Sequence, residues 1–253
     1  MKGILSISFC LLLSCLGWAQ PQFTVVLDPG HGGFDPGALG NKITEKNIVL
    51  DYSLEIGKIV NQLDETINII YTRTSDKFVP LHQRAAIANE NNAELFMSIH
   101  VNSFPKPYMH GFEIFIIGMH DSEENLNTAK KENAVILIED NYKTQYEDFD
   151  PNSSESYIIF DLIQEEYLLN SADFSICIQN NIPKYTSRRN RGTRQAGFLV
   201  LKETNTASVL VELGYLTNAD ESKYLLSEKG KQEIANALAQ SIIDYKQTLS
   251  SEL

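Results

Sequence analysis

The stretch Thr24–Gly40, TVVLDPGHGGFDPGALG, contains the first predicted strand of the chain and the loop after it. Its opening apolar run, Val25 to Leu27, predicts a strand. Asp28-Pro29-Gly30 ends that strand, because proline cannot donate to a β-ladder and glycine tolerates positive φ. His31 comes next, so we expect it at the carboxyl end of a strand, where open α/β sheets place their chemistry. The alternative for a single histidine is a solvent-exposed turn residue.

The composition indicates an acidic globular protein. The chain has 253 residues, of which 43% are hydrophobic, and a formal net charge of −12 at pH 7. This length suits one α/β domain with an insertion, or two small domains. Nucleic acid is not expected as a partner, because binding its phosphates needs a basic face.

Residues 1–19 are predicted to be an export signal peptide. Lys2 supplies the positive end, Ile4–Leu16 the apolar stretch and Gly17-Trp18-Ala19 a small-residue cleavage site. The mature chain, residues 20–253, is then expected in the periplasm or cell envelope. The apolar run is too short for a transmembrane anchor, and we expect no integral membrane segment in the mature chain. A lipoprotein signal with a lipid anchor at Cys15 is the alternative.

The order of predicted elements favours a single α/β domain with a mostly parallel central sheet flanked by helices. A helix begins after Thr44 with Glu45 in its first turn, and another begins at Pro80. Further strands are predicted at Ile67–Tyr71, Glu94–Ile99, Gly111–Ile117, Phe198–Leu201 and Ser208–Glu212. A long helix is predicted over Ser154–Asn180 and a last helix from about Ala219. The inward residues expected on the long helix are Ile159, Leu162, Ile163, Leu169 and Ile176.

Two polar segments interrupt this pattern. Residues 118 to about 152 are acidic apart from the block Ala134–Ile138, and they are predicted to form an insertion with a helix around Glu123–Asn141. Lys184–Arg194 is predicted to be a basic loop. Its arginines could meet carboxylates of a peptide substrate or could form structural ion pairs.

Polar residues at three predicted strand ends suggest a metal site. His31, His100 and Glu212 each stand where a strand is expected to end, and Glu45 opens the first helix. The carboxyl ends of parallel strands share one edge, so these side chains could converge. Two histidines and a carboxylate with an open fourth position form a catalytic zinc sphere, and a further carboxylate can act as general base. Taken singly, Glu45 could be a helix-start acid and Glu212 half of an ion pair.

The sequence resembles the zinc-dependent N-acetylmuramoyl-L-alanine amidases of the AmiC type, the Amidase_3 family. The resemblance covers about Phe23 to Tyr245. The motifs that carry it are LDPGHGGFDPGA at Leu27–Ala38, TEKNIVL at Thr44–Leu50, YTRTSDKFVPLHQRAAIAN at Tyr71–Asn89, SIHVNS at Ser98–Ser103, GFEIFI at Gly111–Ile116, RGTRQAGFLVL at Arg191–Leu201 and VLVELGYLTNADE at Val209–Glu221.

This resemblance implies that His31, Glu45 and His100 bind Zn²⁺ and that Glu212 is the catalytic acid and base. The implied reaction hydrolyses the amide between N-acetylmuramic acid and L-alanine in peptidoglycan, in cell-wall turnover or daughter-cell separation. It also implies that a helix of the insertion could block the site until a divisome activator protein displaces it. Glu132 is then expected, in preference to Glu139, as a regulatory zinc ligand; a solvated acidic helix without a regulatory role is the alternative.

Two other functions remain open from the sequence. A related zinc peptidase could cut another cell-wall amide, because a metal site alone does not choose the substrate. A catalytically silent wall-binding adaptor could keep the same fold, although retained metal ligands and Glu212 argue against it.

Overall fold

The computed structural model describes residues 22–40, 43–162 and 165–251. The predicted signal peptide and Cys15 lie outside the described residues. Within the described part of the chain, no helix is both long and apolar enough to cross a membrane.

A six-stranded sheet organises the fold. Its strands lie in the order β4-β1-β5-β8-β6-β7. All neighbouring pairs are parallel except β6 and β8, so the predicted mostly parallel sheet is confirmed. The strands are β1 (Phe23–Pro29), β4 (Ile67–Tyr71), β5 (Leu95–Asn102), β6 (Phe112–Ile117), β7 (Asn190–Ala196) and β8 (Ala207–Tyr215), and a separate short pair is β2 (Leu39–Gly40) with β3 (Ile43–Thr44).

Helices cover both faces of the sheet. One face packs against α1 (Glu45–Leu63), α5 (Glu165–Tyr185) and α8 (Glu228–Ser251), with α7 (Ala219–Leu225) beside them. The other face packs against α2 (Leu81–Glu90), α6 (Leu199–Lys202) and the predicted insertion. The insertion contains α3 (Glu123–Asn133), a 3₁₀ segment (Ala134–Ile138) and α4 (Tyr142–Gln145), and a second 3₁₀ segment (Glu155–Leu162) precedes α5.

Strand alternation places the polar residues of the central strands on one face. Successive side chains of a strand point to opposite faces. Val26, Phe96 and Leu210 pack on the face of α2 and the insertion. Asp28, His100 and Glu212 lie an even number of residues further along the same three strands, so they face the insertion as well.

Several elements differ from the sequence predictions. The predicted basic loop is partly the edge strand β7, because a charged edge strand lacks the apolar alternation of a central one. Phe198–Leu201 contributes to the one-turn helix α6 rather than a strand, since a short apolar run fits either structure. His100 and Glu212 lie inside their strands and not at the ends, because the β5–β8 ladder continues to Asn102 and Tyr215.

The inward face predicted for the helical region before β7 is also wrong. Ile159, Leu169 and Ile176 are exposed, at 41%, 66% and 51%. Instead, Phe160 and the i, i+4 series Phe174, Ile178 and Ile182 are buried. The side chains of Leu162 and Ile163 lie outside the described residues. Apolar residues occupy several faces of this segment, and only packing selects among them.

Candidate metal centre

His31 lies on the loop after β1. Its φ is +58°, a left-handed conformation that is uncommon outside glycine. The next residues form a tight turn, in which Gly32 and Asp35 exchange backbone hydrogen bonds of 3.0 and 3.1 Å. This turn places Asp35 Oδ2 2.8 Å from His31 Nδ1. A carboxylate on one ring nitrogen orients the imidazole and leaves the other, Nε2, free for a metal.

Glu45 is the first residue of α1, and it is 1% exposed. Oε2 accepts a hydrogen bond from the Ala38 backbone N–H at 2.7 Å, and Oε1 accepts one from the Val101 N–H at 2.8 Å. Burial alone would raise the pKa of Glu45, but the His31 and His100 imidazoles outweigh it and hold the pKa well below its usual range. Glu45 is therefore ionised and fixed in position.

His100, on β5, brings its ring next to the Glu45 carboxylate. Its ring packs directly on Gly30, where an added Cβ would overlap the ring atom Cε1. Nδ1 lies 3.1 Å from Glu45 Oε1. Burial alone would lower the pKa of His100, but the carboxylates of Glu132 and Glu45 raise it to about 10.

Four side chains converge at this point. Glu45 Oε1 lies 3.1 Å from His31 Nε2 and 3.1 Å from His100 Nδ1. Glu132 Oε2 lies 3.2 Å from each of the same two nitrogens. Ligand atoms of all four residues fall within 4.8 Å of one another, as a metal ion would require.

This donor set fits zinc. Corners ~2.0 Å from a tetrahedral centre are separated by roughly 3.3 Å, close to the observed spacing. His31 Nε2 and Glu132 Oε2 are buried and have no hydrogen-bond partner in the described structure. The neighbouring carboxylates also raise the pKa of His31, overcoming its burial. A buried group of carboxylates this dense needs compensating positive charge, which either protons or a divalent cation can supply.

Glu212 lies beside this cluster. It pairs with His100 across β5 and β8 and with Glu113 across β6 and β8. Its side chain is 0% exposed, and neither carboxylate oxygen has a hydrogen-bond partner among the described residues. Burial, reinforced by the charges of Glu132 and Glu45, raises the pKa of Glu212 well above its ordinary value. Such a carboxylate accepts a proton more readily than an ordinary glutamate, as a general base must.

Glu132 comes from the insertion, whereas Glu139 takes a structural position. Glu132 is 7% exposed on α3 and faces both histidines. Glu139 accepts hydrogen bonds from the Leu81 N–H and from the Tyr146 hydroxyl, away from the cluster. The helix is not freely solvated, because the insertion has residues buried in the hydrophobic core on the α2 face of the sheet: Leu126, Ala129, Ile136, Tyr146 and Phe149.

Two buried arginines donate hydrogen bonds to the backbone carbonyls of the His31 loop. Arg73 Nη2 donates to the Gly30 carbonyl at 2.7 Å, and Arg84 Nη2 donates to the His31 carbonyl at 2.8 Å. Arg84 Nη1 also bonds to Asp28 Oδ1 at 2.8 Å. The Asp28 carboxylate accepts further hydrogen bonds from the hydroxyls of Thr72 and Ser98.

Sequence reasoning missed these supporting residues and Asp35. All of them stand in or beside the quoted motifs, but their partners are distant in the chain. Arg84, for example, is 56 residues from Asp28. The one available signal was Asp35, four residues after a loop histidine and so within reach of its ring.

The basic segment forms ion pairs. Arg188 bonds to Glu221, and Arg191 bonds to Glu113 at 2.8 Å and to Glu124 of α3 at 3.1 Å. Glu113 also accepts from the Tyr215 hydroxyl at 2.6 Å.

Comparison with known proteins agrees with this architecture. The family described as N-acetylmuramoyl-L-alanine amidase, Amidase_3, matches residues 25–244. N-acetylmuramoyl-L-alanine amidase AmiA of Escherichia coli K12 is 34% identical over 224 residues, covering 87% of this chain and 75% of AmiA. The catalytic domain of CwlV, an N-acetylmuramoyl-L-alanine amidase from Bacillus (Paenibacillus) polymyxa var. colistinus, superposes with a TM-score of 0.65 at 26% identity, covering 89% and 98% of the two chains.

AmiC2 of Nostoc punctiforme, also an N-acetylmuramoyl-L-alanine amidase, superposes with a TM-score of 0.62 at 29% identity and covers 89% and 98% of the two chains. The family match extends over most of the described residues and includes His31, Glu45, His100 and Glu212. The chain therefore belongs to the Amidase_3 family of N-acetylmuramoyl-L-alanine amidases.

Proposed function

We propose that this chain is a zinc-dependent N-acetylmuramoyl-L-alanine amidase that acts on peptidoglycan. It hydrolyses the amide between the lactyl group of N-acetylmuramic acid and L-alanine of the stem peptide. The observation that carries the proposal is the convergence of His31 Nε2, His100 Nδ1 and Glu45 Oε1 at 3.1 Å spacings, beside a buried and unpaired Glu212.

His31, Glu45 and His100 would hold the zinc ion. When bound, zinc lowers the pKa of a coordinated water to about 7 and polarises a carbonyl oxygen. The protein's part is to keep the three ligands in place. Asp35 orients the His31 ring, the Ala38 and Val101 N–H groups orient Glu45, and Gly30 lets the His100 ring approach the loop.

Glu212 would move the protons of the reaction. Its carboxylate takes a proton from the attacking water and then delivers it to the leaving amine of L-alanine. A raised pKa favours the first step, because a more basic carboxylate accepts the proton of the water more readily.

Product analysis tests the reaction. Purified sacculi are digested by the mature protein with and without a chelator, and the products are identified by mass. We expect free stem peptides that begin with L-alanine, together with glycan bearing unsubstituted lactyl groups, and no release after chelation. Cleavage at another amide would favour the alternative zinc peptidase, and no cleavage by the zinc-loaded protein would favour a silent adaptor.

We further propose that α3 closes this site until it is displaced. Glu132 takes the fourth position around the two histidines, and the cavity that these three residues line, together with residues of β1, α2 and the insertion, has a volume of about 10 Å³. That volume holds at most one water molecule, so a peptidoglycan stem needs α3 to move before it can enter. An envelope protein that binds the insertion would act as the activator.

Point variants test this closure better than deletion, because the insertion contributes to the core. Glu132→Ala should raise basal release of stem peptides from sacculi, whereas Glu123→Ala, an exposed position in the first turn of the same helix, should not. Equal activity of Glu132→Ala and the parent, with an unchanged fold, would contradict a blocking role.

The remaining parts of the proposal concern location. Residues 1–19 would direct export, and the mature catalytic domain, residues 20–253, would work in the periplasm or cell envelope. This placement is consistent with the substrate, which lies outside the cytoplasm, and is tested by comparing the mass of the protein in envelope and cytoplasmic fractions.

A further inference from the structure

A stacked pair of aromatic rings, one of them exposed, lies at the edge of the candidate metal centre. Phe34 and Phe78 stack with ring centroids 4.2 Å apart and an interplanar angle of 30°. Phe34 is 63% exposed, although it lies at the tip of a tight turn, where small polar residues are usual. At this exposure, much of the ring surface is open to solvent and accessible to a ligand.

The pair is adjacent to the metal ligands. Phe34 directly precedes Asp35, whose carboxylate lies 2.8 Å from His31 Nδ1. Phe78 lines the same small cavity as His31 and His100. A group bound on the exposed face of Phe34 would therefore be separated from this cavity by the two stacked rings.

The surrounding loops hold the turn beneath Phe34 firmly. A Cβ on Gly33 would lie 2.7 Å from the Phe78 backbone nitrogen, so the two loops are in close contact. The Gly33 N–H donates to Asp76 Oδ1 at 2.7 Å, and Lys46 Nζ joins the Gly33 carbonyl to Asp76 Oδ2. A platform that is already ordered loses little conformational entropy when it binds.

We propose that Phe34 and Phe78 form a platform for a pyranose ring of the glycan strand, and this proposal rests on the proposed function. One face of a pyranose presents C–H groups, which are attracted to the negative face of an aromatic ring. Asp76, whose side chain is 49% exposed and which bonds to the same turn, offers a carboxylate to sugar hydroxyls. In N-acetylmuramic acid, a short lactyl ether joins the sugar to the scissile amide, which matches the nearness of Phe34 to the metal ligands.

Phe78 lines the cavity that α3 closes, whereas Phe34 is not among its lining residues. The exposed face of Phe34 is available while Glu132 still contacts both histidines. The platform can therefore hold a glycan strand before the site opens, and binding can be measured separately from cleavage.

Binding measurements in the Glu212→Gln background test the platform without digestion of the ligand. The full mature chain is co-sedimented with purified sacculi and titrated with the peptide-free disaccharide of N-acetylglucosamine and N-acetylmuramic acid. Phe34→Ala should weaken both interactions by about three- to tenfold. Phe34→Trp should retain both and report the disaccharide by fluorescence, because the one tryptophan of the sequence, Trp18, lies in the predicted signal peptide.

Two controls identify the cause of any loss. Phe34→Leu keeps an apolar side chain without a ring and should bind as weakly as Phe34→Ala. Leu169→Ala removes an apolar side chain of similar exposure, 66%, from α5 and should bind like the parent. Tight disaccharide binding by Phe34→Ala or by Phe34→Leu would overturn the proposal, and so would a loss confined to sacculi, which would assign the pair to a peptide or protein contact.

The proposed amidase function and the proposed aromatic platform can each be disproved without disproving the other. Chelator-sensitive release of stem peptides by the parent protein can be observed whatever Phe34→Ala does. Conversely, disaccharide binding that depends on Phe34 would persist if the parent cut a different amide.

Discussion

The loop Pro29–His31 and the helix α3 border the same metal centre, but they are attached to the rest of the protein in different ways. The loop carbonyls accept hydrogen bonds from Arg73 and Arg84, which are 1% and 2% exposed. The ion pair and lysine contacts of α3 lie nearer the surface: Lys131 bonds to Ser103, and Glu124, 38% exposed, bonds to Arg191. Its last residue, Asn133, makes buried hydrogen bonds, to the Gly197 carbonyl and from the Leu199 N–H.

We call Pro29–His31 the fixed wall of the site and α3, which the proposed closure requires to move, the removable wall. Breaking a buried charge pair costs several kcal/mol because an unpaired charge remains in the interior. Exposed pairs contribute about 0–1 kcal/mol each, since water replaces them at little cost. The proposed zinc ligand His31 lies on the fixed wall, whereas Glu132 lies on α3, which the proposed closure requires to move.

The largest expected effect is on the fixed wall. Arg84→Ala should lower the free energy of unfolding by about 3–5 kcal/mol, because Asp28 would remain buried without its cation. Urea denaturation followed by circular dichroism measures this change. Lys131→Ala, in which a cation of α3 is removed, is the matched control and should cost less than about 1 kcal/mol. Similar losses of unfolding free energy in the two variants would show that the fixed wall is held no more strongly than the removable wall.

Low pH should also weaken the fixed wall, because Asp28 helps to position it. Burial alone would raise the pKa of Asp28, but Arg84, Thr72 and Ser98 outweigh it and lower the pKa. The contribution of Asp28 to stability is therefore fully present above its unfolded pKa of about 3.9 and is lost as the pH falls through the lower folded value. The free energy of unfolding, measured from about pH 6 to pH 2, should fall less steeply in Asp28→Asn than in the parent. Parallel curves would show that Asp28 is not linked to acid unfolding.

A smaller effect is expected where the loop meets His100. In Gly30→Ala the new Cβ would overlap the His100 ring, so the ring must turn away from Glu45. Zinc affinity, measured by competition with a chromogenic chelator, should fall about 10- to 100-fold, as for the loss of a group that orients a ligand. Gly192→Ala is the control: its φ of +86° makes the backbone strained, but the added Cβ meets no atom within 4 Å. Its zinc affinity should match that of the parent.

The smallest change is expected from a substitution in the removable wall, α3. Glu124→Ala breaks the surface ion pair with Arg191 and should favour the open position of α3 by about 0.4–1 kcal/mol. Basal release of stem peptides from sacculi should then rise about two- to fivefold, while Glu123→Ala leaves it unchanged. A decrease in Glu124→Ala would mean that this contact supports the active arrangement instead.

The two walls also differ in how far the sequence predicts them. The fold class, the loop position of His31 and the helix start at Glu45 follow from local signals: proline, glycine and an apolar run. The bracing by Arg73 and Arg84 does not, because each arginine bonds to carbonyls more than 40 residues away. The interior positions of His100 and Glu212 within their strands also depend on ladder pairing, which a single sequence does not reveal.

Elements with weak periodicity are harder still to predict. The charged strand β7 has the pattern of a loop, and α6 has the pattern of a strand, so neither is distinguished locally. For the insertion, the sequence indicates a helix, and resemblance to a family suggests Glu132. The length of α3, which ends at Asn133, and the separate structural position of Glu139 emerge only from packing.

Zinc content and cleavage, measured together in Glu212→Gln, test the proposed zinc amidase most directly. We expect Glu212→Gln to keep the zinc content of the parent and to lose release of stem peptides by a factor of about 10²–10⁴, the usual contribution of a general acid and base. His31→Ala, measured alongside it, should lose both zinc and cleavage. Full activity in Glu212→Gln, or full activity of a metal-free parent protein, would contradict the proposed roles of Glu212 and zinc.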